Sequence, residues 1–248
     1  GAPLSQETAR FFQAIGITIL DGYGLTETCA PVTLNTPEQK KIGTVGRPLP
    51  DVVIKIAEDG EILIRSRKVF KGYYRSPSET DVVLRDGWLY TGDIGYLDEE
   101  GYLHISDRKK DIIITSSGKN IAPQKIESMA RDYPYINQLV VHGNDRNYLT
   151  ALITLNRDEV IKYASENLIL FSNYSELIKN PKIQHLIQST IDQINSKLAS
   201  FETIKKFIIL PHDFTIESGE LTASLKIRRH FVDQKYQSEL DNLYDLGY

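Results

Sequence analysis

The chain has 248 residues, a net charge of −4, 41% hydrophobic residues and 25% charged ones. That balance is ordinary for a globular protein, leaves room for one large domain or two smaller ones, and gives no general reason to expect nucleic acid as a partner. A single cysteine, Cys29, excludes an internal disulfide and a cysteine-only metal cage, and no apolar run approaches the roughly 20 residues of a membrane span.

In chain order, Gly-Ala-Pro-Leu-Ser does not read as a signal segment. Ser5 can cap a helix over Gln6–Ile15, with Ala9, Phe12 and Ile15 on one stripe and Gly16 as the stop. Ile17–Leu20 reads as a short buried strand, and Asp21-Gly-Tyr-Gly24 as the loop after it. From Ile42 the texture turns to β. Val52–Ile56 and Glu61–Arg65 flank Asp59-Gly60, a hairpin signal. Trp88–Tyr90, Ile94–Leu97 and Tyr102–Ser106 continue as short strands, and turns this frequent predict a small sheet or partial barrel.

Beyond Lys110 the pattern is mixed α and β. Ile112–Thr115 reads as a strand, Pro123 suits a first helical turn, and Ile126, Met129 and Ala130 share a helical face. Gln138–His142 and Leu149–Leu155 predict an antiparallel pair. Ile183, Leu186, Ile187, Ile191, Ile194 and Leu198 form the clearest helical stripe, opened by Pro181. Phe207–Leu210 reads as a strand and Ile227–Leu243 as a terminal helix. The boundary falls near Lys110, giving domains over 1–110 and 111–248. One helix and one strand are too little to bury an α/β sheet, so the first domain reads as incomplete.

Four motifs carry chemistry. In Tyr23-Gly-Leu-Thr-Glu27, Gly22 and Gly24 let the backbone approach a ligand. Thr26 can offer a hydroxyl to phosphate, and Glu27 can ligate magnesium, which takes a carboxylate together with phosphate oxygens. A plain glycine turn with a surface glutamate is the bland alternative. In Tyr90-Thr-Gly-Asp93 one ionised carboxylate can accept from both hydroxyls of a ribose, against the alternative of an ordinary Gly-Asp turn. Asp107-Arg-Lys-Lys-Asp111 opens a charged stretch running to Glu127. Arg108 is a rigid fork suited to ribose or phosphate oxygens, and the stretch could equally be a solvated linker. In Leu221-Thr-Ala-Ser-Leu-Lys226-Ile-Arg-Arg229 an ammonium can stabilise developing negative charge, while Arg228, Arg229 and His230 could simply make a basic surface patch. Ser116-Ser-Gly-Lys-Asn120 lacks the first glycine and the final Ser/Thr of a phosphate loop. The five histidines show no metal-ligand spacing.

Taken in this order, the motifs resemble the adenylate-forming superfamily of acyl-CoA synthetases, luciferases and peptide-synthetase adenylation domains, and within it the long-chain fatty-acid–CoA ligases. The resemblance implies an α/β and α+β fold. Part of a large AMP-binding domain, with a small β-barrel-like subdomain, precedes a mobile α+β C-terminal domain. An N-terminal part carrying the phosphate loop is expected upstream of this chain, and without it the fragment is expected to be inactive.

The resemblance places Tyr23 near the adenine and Gly24 in the nucleotide site, Thr26 at the α-phosphate and Glu27 on magnesium. Asp93 goes to the ribose, Arg108 to ribose or phosphate oxygens, Lys110 to the hinge and Lys226 to adenylation. Ala2-Pro3 resembles the adenine-side Gly-Ala-Pro. Two departures are Leu225, where many relatives have glycine, and Ser66, where glycine often follows the arginine. Implied substrates are ATP, a long-chain fatty acid and coenzyme A, in a cytoplasmic enzyme, with peripheral membrane contact left open. Two rivals remain: acyl transfer to a carrier protein, and a non-catalytic interaction module.

Overall fold

The computed structural model describes residues 4–245 and divides between Lys110 and Asp111 into two compact units. Ala2 and Pro3 lie outside the described residues.

In the first unit, the Ser5 hydroxyl accepts from the Thr8 amide at 3.1 Å and starts helix α1 (Gln6–Ala14), satisfying a donor that has no partner inside the helix. The predicted strand over 17–20 does not form. Ile17 is 50% exposed, and no ladder partner reaches this run among the described residues. An apolar run becomes a strand only when another edge takes its backbone groups.

The stretch expected to be a loop is itself a strand. Strands β1 (Gly22–Leu25), β2 (Ala30–Leu34) and β3 (Arg47–Pro48) make an antiparallel sheet in that order. The chain reverses between β1 and β2 through a 3-10 turn, Thr26–Thr28, followed by Cys29 and Ala30 at φ 50 and 95. No glycine marks that reversal, so nothing local announces it.

A second sheet follows, from β4 (Val52–Ile56) and β5 (Glu61–Ser66). Helix α2 (Pro77–Val83) then leads to β6 (Leu84–Arg85), β7 (Trp88–Leu97) and β8 (Leu103–Arg108). The Asp59-Gly60 hairpin forms as the sequence predicts, with β4 antiparallel to β5. The two short strands expected over 88–97 are one strand. β5 lies on one edge of β7, while β6 and β8 share the other. The barrel-like expectation is corrected here, because the sheet stays open. The outer edge of β8 is taken by residues 45–46: the Val45 amide donates to the Leu103 carbonyl and the Leu103 amide to the Gly46 carbonyl, both at 2.9 Å. That edge is therefore not available to meet β4. Val32, Val52, Ile62, Ile64, Leu89 and Leu103 form the core.

The second unit begins with the short antiparallel pair β9 (Ile113–Ile114) and β10 (Asn120–Ile121). Helix α3 (Pro123–Ala130) carries Pro123 in its first turn. Strands β11 (Ile136–His142) and β12 (Leu149–Leu155) pair antiparallel. Helices α4 (Arg157–Glu166), α5 (Tyr174–Leu177) and α6 (Pro181–Asn195) then cross to β13 (Ile204–Ile209), which pairs parallel to β12. A parallel pair requires such a crossover.

All seven residues of β12 are buried, because the sheet is covered on both faces. One face packs on α3, α4 and α6, with Ile183, Ile187 and Ile194 fully enclosed. The other packs Val140 and Leu152 on Val232 and Leu240. The last two belong to α7 (Arg229–Lys235) and α8 (Gln237–Asp245), so the single terminal helix expected over 227–243 is two. They part at Tyr236, whose hydroxyl donates to Glu220 Oε1 at 3.1 Å.

Among the described residues no helix is long and apolar enough to cross a membrane.

Candidate active site

In the first unit, three sequence-predicted side chains meet. The Tyr23 hydroxyl, on β1, donates to Asp93 Oδ2 at 2.5 Å, and Arg108 Nε pairs with Asp93 Oδ1 at 2.8 Å. Asp93 and Arg108 face each other across β7 and β8. Asp93 is 4% exposed. Burial pushes its carboxyl up from the usual aspartate value, and the Tyr23 hydrogen bond and the Arg108 charge oppose that rise. Burial, with the Asp93 charge and hydrogen bond, pushes the Tyr23 phenol well up too, so the phenol stays a donor at any ordinary pH.

A bulge aims the carboxylate. Register between β5 and β7 slips between Glu61 and Leu63, and Gly92 stands at φ +69 in the slipped stretch. Such a bulge re-aims the side chains beside it. The Thr91 hydroxyl donates to the Ile62 carbonyl at 2.7 Å and accepts from the Asp93 amide at 3.1 Å. Thr91 and Gly92 of the motif are thus the support, and Asp93 is what they present.

Glu61, by sequence no more than the first residue of a strand, holds the same corner. It is 5% exposed; Oε1 accepts from the Gly92 amide at 2.9 Å and Oε2 from Lys109 Nζ at 2.8 Å. Lys109 also pairs with Asp59 at 2.6 Å. The two residues before Lys110 are therefore each tied to a carboxylate of this unit, while Lys110 itself is exposed.

At the β1–β2 turn, Thr26 is exposed and Glu27 half-buried. The Tyr73 hydroxyl donates to Glu27 Oε1 at 2.8 Å, and the Phe70 amide to the Glu27 carbonyl at 2.7 Å. Thr28, unnoticed in the sequence, locks the turn: its hydroxyl accepts from the Leu25 amide at 2.9 Å. Gly24 is required by contact, since a Cβ there would stand 2.4 Å from the Ala30 carbonyl oxygen.

Lys226 belongs to the second unit, on a tight exposed loop. The Thr222 amide donates to the Lys226 carbonyl at 2.8 Å, the Lys226 amide to the Thr222 hydroxyl at 3.1 Å, and Leu221 bridges Ile227. Leu225 sits at φ 59, a left-handed backbone that glycine takes most easily. The loop's stem rests on Glu220, 1% exposed, whose carboxylate accepts from Lys235 at 2.6 Å, from Tyr236 and from Ser218. The Arg228 amide donates to the Glu220 carbonyl at 2.7 Å.

Burial pushes the Glu220 carboxyl up, but the Lys235 ammonium and the Ser218 and Tyr236 hydroxyls outweigh it, holding it down to about 2 from the usual 4.5. A carboxyl depressed on folding contributes stability that is complete above its unfolded value and is lost as pH falls towards the folded one. The urea midpoint of the protein is expected to fall between about pH 5 and pH 2 less steeply in Glu220→Gln than in the natural protein. Parallel slopes would show that this carboxylate is not a source of acid sensitivity.

Residues 1–74 match the family model described as AMP-binding enzyme, and residues 110–246 match that of the AMP-binding enzyme C-terminal domain. The chain belongs to the AMP-binding enzyme family. It is 39% identical, over 99% of its length, to the long-chain-fatty-acid–CoA ligase FadD15 of Mycobacterium bovis, of which it covers 41%. It is 32% identical over 98% of its length to the human long-chain-fatty-acid–CoA ligase ACSBG2, of which it covers 40%. The chain thus spans about two-fifths of these AMP-binding relatives.

Among solved structures, it resembles the adenylation domain of a carboxylate reductase from Mycobacterium chelonae, with TM-score 0.80 and 28% identity over 99% of this chain and 38% of that one. It also resembles the o-succinylbenzoate CoA synthetase of Bacillus subtilis in complex with ATP and magnesium, with TM-score 0.69 and 27% identity over 93% of this chain and 44% of that one.

Proposed function

We propose that the protein to which this chain contributes activates a long-chain fatty acid with ATP and magnesium, forming an acyl-adenylate and pyrophosphate. It then transfers the acyl group to the thiol of coenzyme A and releases AMP. The observation that carries the nucleotide half is Asp93. Its buried carboxylate is oriented by Tyr23 and Arg108, yet each oxygen has a second lone pair for a ribose hydroxyl. The acyl and thiol substrates come from the names of the relatives at 39% and 32% identity.

The remaining roles follow from chemistry. Gly24 keeps the strand slim where the nucleotide lies, and Tyr23 serves it through Asp93. Thr26 offers its hydroxyl to the α-phosphate. Glu27, steadied by Tyr73, suits magnesium, which takes one or two carboxylates and fills its shell with phosphate and water. Among the described residues no group of three or more metal-ligating side chains occurs. Lys226 places a positive charge where carboxylate and α-phosphate repel. Lys110, exposed after two anchored residues, supplies the pivot that withdraws Lys226 before the thiol attacks.

The likeness to a carboxylate-reductase adenylation domain favours a second reading, in which the adenylate passes to another acceptor. The full-length protein given ATP, palmitate and coenzyme A decides between them. Palmitoyl-CoA with stoichiometric AMP is expected. Adenylate that accumulates and ignores coenzyme A would overturn the CoA-ligase reading in favour of the second.

A further inference from the structure

The basic trio Arg228-Arg229-His230 has the look of a surface patch, but Arg229 points inward. Its side chain is 14% exposed and that of Glu127 is 10%. Arg229 Nη2 donates to Glu127 Oε1 at 2.6 Å and Nη1 to the Val141 carbonyl at 2.8 Å. The Val141 amide donates to the same Glu127 oxygen at 2.9 Å, closing a ring between α3, β11 and the start of α7. The charges of Asp111 and Asp233 also act on this guanidinium. Asp111 is the first residue of the second unit, and Lys226 stands three residues before Arg229 on a loop held by its own backbone bonds.

From this convergence we infer that Arg229 is a positioning residue for Lys226, fixing the lysine loop to α3 and β11, so that they move as one body. The inference rests on reading Lys226 as the adenylation lysine. A charge delivered by a moving unit must arrive where the reaction needs it, and a misplacement of about 1 Å can cost about 100-fold in rate. Stability alone gives no reason for the pair, because well-packed apolar side chains often replace a buried ion pair without loss. The fork geometry of arginine fits the task, since its two Nη groups reach two different acceptors and so fix an angle as well as a distance.

The test uses the full-length enzyme carrying Arg229→Met, and beside it the double variant Glu127→Gln/Arg229→Met, which leaves no buried carboxylate without its partner. ATP–pyrophosphate exchange with palmitate is expected to fall about 10- to 100-fold. Thioester formation from supplied palmitoyl-adenylate and coenzyme A is expected to stay within about threefold, because Lys226 takes no part in it. Amide hydrogens of residues 222–228 are expected to exchange at least about tenfold faster. Equal loss of both half-reactions in both variants, or unchanged amide exchange, would overturn the inference. Should the natural enzyme form no adenylate at all, the proposed function falls, and the amide exchange still decides whether Arg229 holds the loop.

Discussion

Replacing Lys226 with alanine in the full-length enzyme is expected to slow ATP–pyrophosphate exchange by about 10²- to 10³-fold, or about 3–4 kcal/mol of transition-state stabilisation. The same variant is expected to make palmitoyl-CoA from supplied palmitoyl-adenylate at a rate within about threefold of the natural enzyme. The structure makes this a clean substitution. Lys226 is exposed, and no partner for its ammonium is found among the described residues, so its removal unbalances no ion pair. The loop is held by the Thr222 hydroxyl and by backbone groups, which alanine leaves in place. A charge that acts only when carboxylate and phosphate meet should raise the barrier of that step and spare the next. Rapid two-substrate assays on purified enzyme read both steps, and equal loss in the two would remove Lys226 from the adenylation step.

The second large effect concerns Asp93. Asp93→Ala is expected to raise the KM for ATP by about 10- to 100-fold, losing charge-assisted hydrogen bonds worth about 1.5–3 kcal/mol. It is also expected to lower unfolding stability by about 2 kcal/mol, the cost of a buried donor left without an acceptor. Tyr23 is the donor that suffers, being 8% exposed. Arg108, with 43% of its side chain exposed, can turn to water and loses less. Asp93→Asn separates the two effects. The amide oxygen still accepts from Tyr23, so stability should largely return, while ribose binding stays weak for want of charge. Equilibrium denaturation and ATP titration measure the pair of quantities. An ATP KM unchanged in both variants would take the ribose out of Asp93's account.

Much of this arrangement was readable from residues whose job is local. Asp59-Gly60 dictates a hairpin through its own backbone preferences. Pro181 and the isoleucines after it dictate α6 through helical spacing. The motif residues Tyr23, Asp93 and Arg108 meet although the first two stand 70 positions apart, because each lies in a stretch whose chemistry is unusual enough to notice. What stayed hidden depends on distant partners. Nothing in Glu61 or Glu220 says that it will be buried, since the lysines that make burial tolerable, Lys109 and Lys235, lie 48 and 15 residues away. Ile17 and Ile19 have a strand's composition without a strand's neighbour. Leu225 and Cys29 adopt left-handed backbone that side-chain identity does not advertise.

The parallel ladder between β12 and β13 joins Leu149–Ile153 to Ile204–Ile209 across the whole helical crossover. On the ribosome, then, the second unit cannot complete its central sheet until synthesis has passed Ile209. Until that moment an entirely apolar-and-threonine strand waits with one edge unpaired, a template for pairing with neighbouring nascent chains. Loop closure over such a separation is slow, so chaperone demand during translation should concentrate on the interval between these two strands.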